Sequence, residues 1–142
     1  MSGRRFVDTN VLVYAHDSSA GPKHDRAASL IQELWESGGD VLSTQVLQDL
    51  CVNLRRRTTR PGSGDEIRRL IRDYLGWKVI TNTPATIVEA LDAQQRRQLS
   101  FWDALIICAA ETAGASILYS EDLSPDQTYG SLRVVNPFGT SP

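Results

Sequence analysis

Four aspartates stand where their chemistry could combine: Asp8, Asp49, Asp103 and Asp122. Asp8 follows Phe6-Val7, a short apolar pair with strand character. Asp122 closes Ser120-Glu121-Asp122, directly after Ser116-Ile117-Leu118-Tyr119. Asp103 falls in the first turn of an apolar helix that Ser100 opens, and Asp49 in a helix that follows the second strand. Two carboxylates about 5 Å apart repel by on the order of 3 kcal/mol at an effective dielectric of about 20. Several acids gathered in one cleft therefore have raised pKa values or hold a cation. The ligands on offer are oxygens, without a His or Cys cluster. Hard Mg²⁺ or Mn²⁺ suits them and zinc does not. Ions of this kind position phosphates and activate water.

Each acid also has a purely structural reading. Asp8-Thr9-Asn10 reads equally as a turn with an Asn cap. Asp103 could close a capping box with Ser100. Asp122 could begin the loop that holds Ser124-Pro125-Asp126, and Asp49 could be an exposed helical residue. What favours a site is the coincidence of all four near one edge of the expected fold.

That edge follows from the order of elements. Short strands are expected at residues 6–7, 41–43, 77–80, 116–119 and 133–135. Between them Ala27, Leu30, Ile31, Leu34 and Trp35 recur at helical spacing, stopped by Ser37-Gly38-Gly39. Thr44 can cap the next helix, whose apolar face is Val46, Leu47, Leu50, Cys51 and Leu54. Residues 58–64 form a turn rich in Pro and Gly. Ile67, Leu70, Ile71, Tyr74 and Leu75 mark a further helix. Thr83-Pro84 opens one that carries Ile87, Val88 and Leu91. The helix after Ser100 runs to about Ala113, ends at Gly114 and is apolar nearly all round over 104–110, so it should be deeply buried. Strands alternating with helices predict an α/β sandwich with a mostly parallel sheet of about five strands. In such a sheet ligands bind beyond the carboxyl ends of the strands.

A length of 142 residues suits one domain over residues 1–142, and 41% hydrophobic with 23% charged residues excludes disorder, collagen and coiled coil. No apolar run is long enough to span a bilayer, and the start does not read as a secretory signal, so a soluble cytoplasmic protein is expected. Cys51 and Cys108 read as buried reduced thiols rather than a disulfide or zinc site. Of the 15 basic residues 13 are Arg. Arg55, Arg56 and Arg57 with Arg60, and the cluster at 68–72, could contact phosphates; a solvated helical hairpin explains them equally well. Trp77 and Trp102 read as core residues, and His16 and His24 as surface or helix-start residues.

Phe6-Val7-Asp8-Thr9-Asn10-Val11-Leu12-Val13-Tyr14-Ala15 resembles the opening motif of the PIN-domain ribonucleases. Ser43-Thr44-Gln45-Val46-Leu47-Gln48-Asp49-Leu50, Leu99-Ser100-Phe101-Trp102-Asp103-Ala104-Leu105-Ile106 and Leu118-Tyr119-Ser120-Glu121-Asp122-Leu123 resemble the next three. Asn136-Pro137-Phe138 resembles the usual close. The compact form resembles the VapC toxins of bacterial toxin–antitoxin pairs. The resemblance implies an α/β/α sandwich and a Mg²⁺- or Mn²⁺-dependent endoribonuclease that leaves 5′-phosphate and 3′-hydroxyl ends. By match, Asp8, Asp103 and Asp122 take metal positions, supported by Asn10 and by Thr9 or Thr44. Asp49 takes a catalytic position that is usually Glu in the family. Glu121, the neighbour of Asp122 in an extended segment, should face the other way. The resemblance also implies a homodimer, an RNA substrate and a cognate antitoxin.

Three other readings compete. One is a PIN-like module that binds RNA with little or no catalysis. A haloacid dehalogenase-type phosphatase would want an acid where Asn10 stands and a catalytic Lys, and only Lys23 and Lys78 exist. A receiver domain would want an Asp after the third strand, where Ile80-Thr81-Asn82-Thr83 offers none.

Overall fold

The computed structural model describes residues 3–38, 40–56, 62–123 and 127–139. Its strands form one sheet. β1 (Arg4–Val7), β2 (Asp40–Ser43), β3 (Lys78–Ile80), β4 (Ala115–Tyr119), β5 (Thr128–Tyr129) and β6 (Leu132–Val135) lie in the order β3-β2-β1-β4-β6-β5. Every neighbouring pair is parallel except β5 with β6. The five expected strands are present. β5 adds a sixth, a two-residue antiparallel edge too short to show any alternation in sequence.

Among the described residues six α-helices connect them: α1 (Thr9–Ala15), α2 (Pro22–Ser37), α3 (Thr44–Arg55), α4 (Gly64–Tyr74), α5 (Pro84–Arg97) and α6 (Phe101–Thr112). The chain steps from β1 to β2 through α1 and α2, and onward to β3 through α3 and α4. It then returns past β1 to β4 through α5 and α6. Right-handed crossovers taken in opposite directions put α1–α4 on one face and α5–α6 on the other. The packing agrees: α1 lies against α2 and α3, α3 against α4, and α5 against α6. The result is a three-layer α/β/α sandwich. Helices on both faces explain why consecutive residues Phe6, Val7, Val41 and Leu42 are all fully buried.

The helix α1 departs from expectation. Val11, Leu12, Val13 and Ala15 are all buried, so the segment shows no amphipathic stripe by which to recognise it. Its one legible signal is Asp8, an N-cap residue standing before an apolar run. The cap of α3 also needs correction. Ser43, not Thr44, is the cap, with its hydroxyl accepting from the Val46 N–H at 3.4 Å. Thr44 begins the helix, and its hydroxyl accepts from the Asn82 N–H at 3.2 Å, tying α3 to the segment after β3. Thr83 and Thr86 form a capping box at α5. Ser100 caps α6 as expected, and Gly114, at φ 72°, supplies the left-handed residue that turns the chain into β4.

Candidate active site

The sheet has one place where its winding reverses. From β1 the chain proceeds toward β2, and from β4 it proceeds toward β6. A crevice opens beyond the carboxyl ends of two such neighbouring strands. Asp8 stands at the end of β1 and Ser120-Glu121-Asp122 at the end of β4. The Asp8 N–H donates to the Tyr119 carbonyl at 2.9 Å, and the Ser120 N–H to the Val135 carbonyl at 3.0 Å. These bonds carry the sheet ladder past the strand ends and fix both segments.

Asp8 is 9% exposed. Its Oδ1 accepts from the Thr9 N–H at 2.7 Å and its Oδ2 from the Ser120 hydroxyl at 2.9 Å. The Ser120 Oγ, fully buried, also accepts from the N–H groups of Asp122 at 3.3 Å and Leu123 at 3.4 Å. Burial pushes the Asp8 carboxyl up to about 6, against the two hydrogen bonds and with the charges of Asp122 and Asp103 adding to the rise. Asn10 faces the other way across the same gap. Its Nδ2 donates to Asp122 Oδ2 at 3.0 Å, and its Oδ1 accepts from the Glu121 N–H at 3.3 Å. The Glu121 side chain turns elsewhere, as the alternation of an extended segment requires. It accepts from the Tyr14 hydroxyl at 2.9 Å and pairs with Lys23.

Asp49, from α3, and Asp103, from the first turn of α6, join Asp8 and Asp122 around a single cleft of about 390 Å³. Thr9, Asn10, Tyr14, Gln45, Asn53 and Trp102 complete its polar and aromatic wall. Asp103 does not spend its carboxylate on the cap: Ser100 receives the Asp103 backbone N–H at 3.1 Å, and the side chain lines the cleft. Partial burial raises the Asp49 carboxyl above its ordinary value. Gln45 ties the walls together, its Nε2 donating to the Trp102 carbonyl at 3.3 Å.

The other candidates sit apart. Thr44 is engaged with Asn82 and does not line the cleft. Arg55 and Arg56 are exposed at the end of α3, outside the cleft lining, and Arg57 and Arg60 lie outside the described residues. His16 caps the end of α1 and contacts the Tyr74 hydroxyl at 2.6 Å, while the His24 ring donates to the Tyr14 carbonyl at 2.9 Å. Cys51 and Cys108 are free thiols, Cys108 buried and Cys51 half-buried. Trp77 is buried as expected, but Trp102 is 64% exposed. The all-round apolar character of α6 begins at Ala104. The turn before it sits at the cleft mouth, where Trp102 stays in solvent. Sequence reasoning assigned no role to Ser120 or Gln45. Gln45 left a trace: it is a polar residue among the buried positions of α3, beside Val46 and Leu47.

A divalent ion can be tested against these groups. Two buried oxygens of the cleft wall, Thr9 Oγ1 and Gln45 Oε1, have no hydrogen-bond partner. None of the described lining residues is cationic. Among the described residues, no group of three His, Cys, Asp or Glu side chains could by itself hold a metal ion. The donors that line the cleft are oxygens, a set that a hard ion such as Mg²⁺ can take with one or two carboxylates and its own waters.

The PIN domain family model matches residues 5–130. The chain belongs to the PIN-domain family. This membership sets aside the phosphatase and receiver readings. Solved structures share the PIN fold. A *Mycobacterium tuberculosis* VapC20, described as a sarcin-ricin loop cleaving toxin, is 21% identical, covers 83% of this chain and 89% of its own, and superposes with a TM-score of 0.63. A chain of a toxin–antitoxin complex from *Klebsiella pneumoniae* is 16% identical over 94% of this chain and 97% of its own, with a TM-score of 0.68. A chain of FitAB bound to a DNA fragment is 12% identical over 96% and 97%, with a TM-score of 0.70. No curated protein sequence matches the chain significantly. Among the described residues of this PIN domain, no helix is long and apolar enough to cross a membrane.

Proposed function

We propose that this PIN-domain protein is a Mg²⁺- or Mn²⁺-dependent endoribonuclease of the cytoplasm, the toxin of a toxin–antitoxin pair. One observation carries the reading: four aspartates from four distant stretches of chain line one cleft at the reversal of the sheet. Asp8, Asp103 and Asp122 would hold the ion, one or two of them directly and the rest through waters that it keeps. Asp49, a methylene shorter than the family's usual Glu, would act from the far wall through water. When bound, the ion supplies charge that offsets the phosphate and makes a water molecule more acidic.

The chain's own residues prepare this chemistry. Ser120 and the Thr9 N–H fix both oxygens of Asp8, so the carboxylate is oriented before any ligand arrives. Asn10 does the same for Asp122. At neutral pH Asp8, titrating near 6, is mainly ionised and able to hold a cation. Hydrolysis forms a bond from the water oxygen to phosphorus and breaks the bond to the 3′ oxygen, which leaves as a hydroxyl. Thr9 would support the site with its hydroxyl, which has no partner among the described residues. Arg55 and Arg56 would meet backbone phosphates outside the cleft.

The toxin assignment draws on two of the similar structures, a loop-cleaving toxin and a toxin–antitoxin complex, and with it come a cognate antitoxin and a homodimer. Native mass, measured alone and with the product of the neighbouring gene, tests both. The activity is tested by expressing the wild type and Asp8→Ala and sequencing the new RNA 5′ ends. Discrete sites with 5′-phosphates, cut only by the wild type, are expected. The same cuts by Asp8→Ala, or 2′,3′-cyclic phosphate products, would overturn the reading.

A further inference from the structure

We propose that Trp102 is a stacking platform for one unpaired base of the RNA, beside the phosphate that the cleft receives; this rests on the nuclease reading above. Trp102 is 64% exposed, the highest value among the exposed large hydrophobic side chains of the described residues, and it lines the acidic cleft. It immediately precedes Asp103, so the ring and a cleft carboxylate share one helical turn. The ring is also held. Phe101 meets it edge-on at 5.3 Å and 74°, and Gln45 anchors the backbone carbonyl beneath it from α3. An exposed, propped aromatic surface is available for stacking without reordering the wall.

The charge of the cleft favours such a contact. Four aspartates line it and no described cation does, so the side chains of the wall repel a nucleic acid backbone. Apart from a bound ion, attraction there comes from neutral hydrogen-bonding groups and from stacking. Every base offers a π-face, and stacking on an aromatic side chain is the sequence-tolerant way to hold single-stranded RNA. A base inside a duplex has both faces covered, so the platform selects a single strand or a loop.

The test uses the intact protein with Mn²⁺ and a single-stranded oligoribonucleotide that the wild type cuts. Trp102→Ala is expected to raise KM about tenfold with kcat within about twofold, and Trp102→Phe to recover most of the loss. One abasic nucleotide, moved along the substrate, is expected to reproduce the KM rise at a single position and to add nothing in Trp102→Ala. Trp77 is buried, and Trp35, 41% exposed, packs against Tyr74 and Trp77 and does not line the cleft. Quenching of tryptophan fluorescence by RNA should therefore vanish in Trp102→Phe. An unchanged KM in Trp102→Ala, additive abasic effects, or a KM change that merely follows a change in native mass would overturn the proposal. If the wild type cuts no RNA, the nuclease reading falls, and quenching alone decides the stacking: its presence supports a base on Trp102 and its absence contradicts it.

Discussion

The side-chain amide of Asn10 donates to the carboxylate of Asp122 across 3.0 Å, joining the first turn of α1 to the segment beyond β4. A second bond runs in the opposite sense, from Ser120 beyond β4 to Asp8 at the head of α1. Each acid is thus oriented by a neutral residue of the other segment. Two like charges are brought near each other and kept in register by donors that add no charge.

The crossed pair makes Asn10 a positioning residue. Asn10→Ala removes two side-chain bonds worth about 1 kcal/mol each. We expect urea unfolding to show a loss of about 1–2 kcal/mol, with RNA cleavage falling about tenfold or more because Asp122 loses its orientation. Asn10→Asp places another acid against Asp122 and should cost more activity than Ala in metal-limited conditions. Cleavage by Asn10→Asp equal to wild type would contradict the positioning role.

The raised Asp8 pKa has a consequence for stability. The folded chain holds this proton more tightly than the unfolded chain. The stabilising contribution is complete below the ordinary value of 3.8 and is lost as pH rises through about 6. The full difference is on the order of 3 kcal/mol. Without divalent ions, Asp8→Asn should melt above the wild type at about pH 7.5, with the advantage shrinking toward about pH 4. Excess Mn²⁺ should reverse the order, because it favours the carboxylate. Thermal melts across pH, with and without Mn²⁺, check both signs. At limiting metal, cleavage should fall as pH drops through about 6, where protons compete for Asp8, and excess Mn²⁺ should move the fall to lower pH.

Position 49 carries an aspartate, one methylene shorter than a glutamate. Asp49→Glu should bind Mn²⁺ as tightly as the wild type or more so, and Asp49→Ala about tenfold more weakly. Calorimetric titration decides this. Equal affinity for wild type and Asp49→Ala would remove Asp49 from the site.

Much of this arrangement is legible in the chain itself, for a physical reason. A parallel sheet brings its strand ends to one side. Acids just beyond those ends, such as Asp8 and Asp122, must therefore be neighbours once the fold is known. Asp103 is legible through Ser100, whose cap fixes where α6 begins. Burial hides the rest. Periodicity fails for α1 because nearly every side is covered, so Asp8-Thr9-Asn10 reads as a turn as readily as a site. Ser43 and Thr44 are adjacent hydroxyls, and only the exact end of β2 decides which one caps. Trp102 reads as core because its helix is core; that its own turn overhangs the cleft is a tertiary fact. Hydrogen-bond geometry alone reveals Ser120 as the shared acceptor and Gln45 as the tie between α3 and α6.

Arg55 and Arg56 lie exposed beyond the cleft. If they meet RNA phosphates, replacing both with Gln should lower the slope of log affinity against log salt by about 1.4 for single-stranded RNA. Binding titrations at several salt concentrations measure it. An unchanged slope would leave the pair as a solvated helix end.

The most direct measurement follows Mn²⁺ binding by electron paramagnetic resonance, at neutral pH, in the wild type, Asp8→Asn and Asp103→Asn. We expect saturable binding in the wild type, lost or weakened at least tenfold in each variant, with RNA cleavage falling in parallel. Wild-type affinity retained in both variants, or RNA cleavage undiminished after complete removal of divalent ions, would contradict the claim that these carboxylates capture the ion the reaction requires.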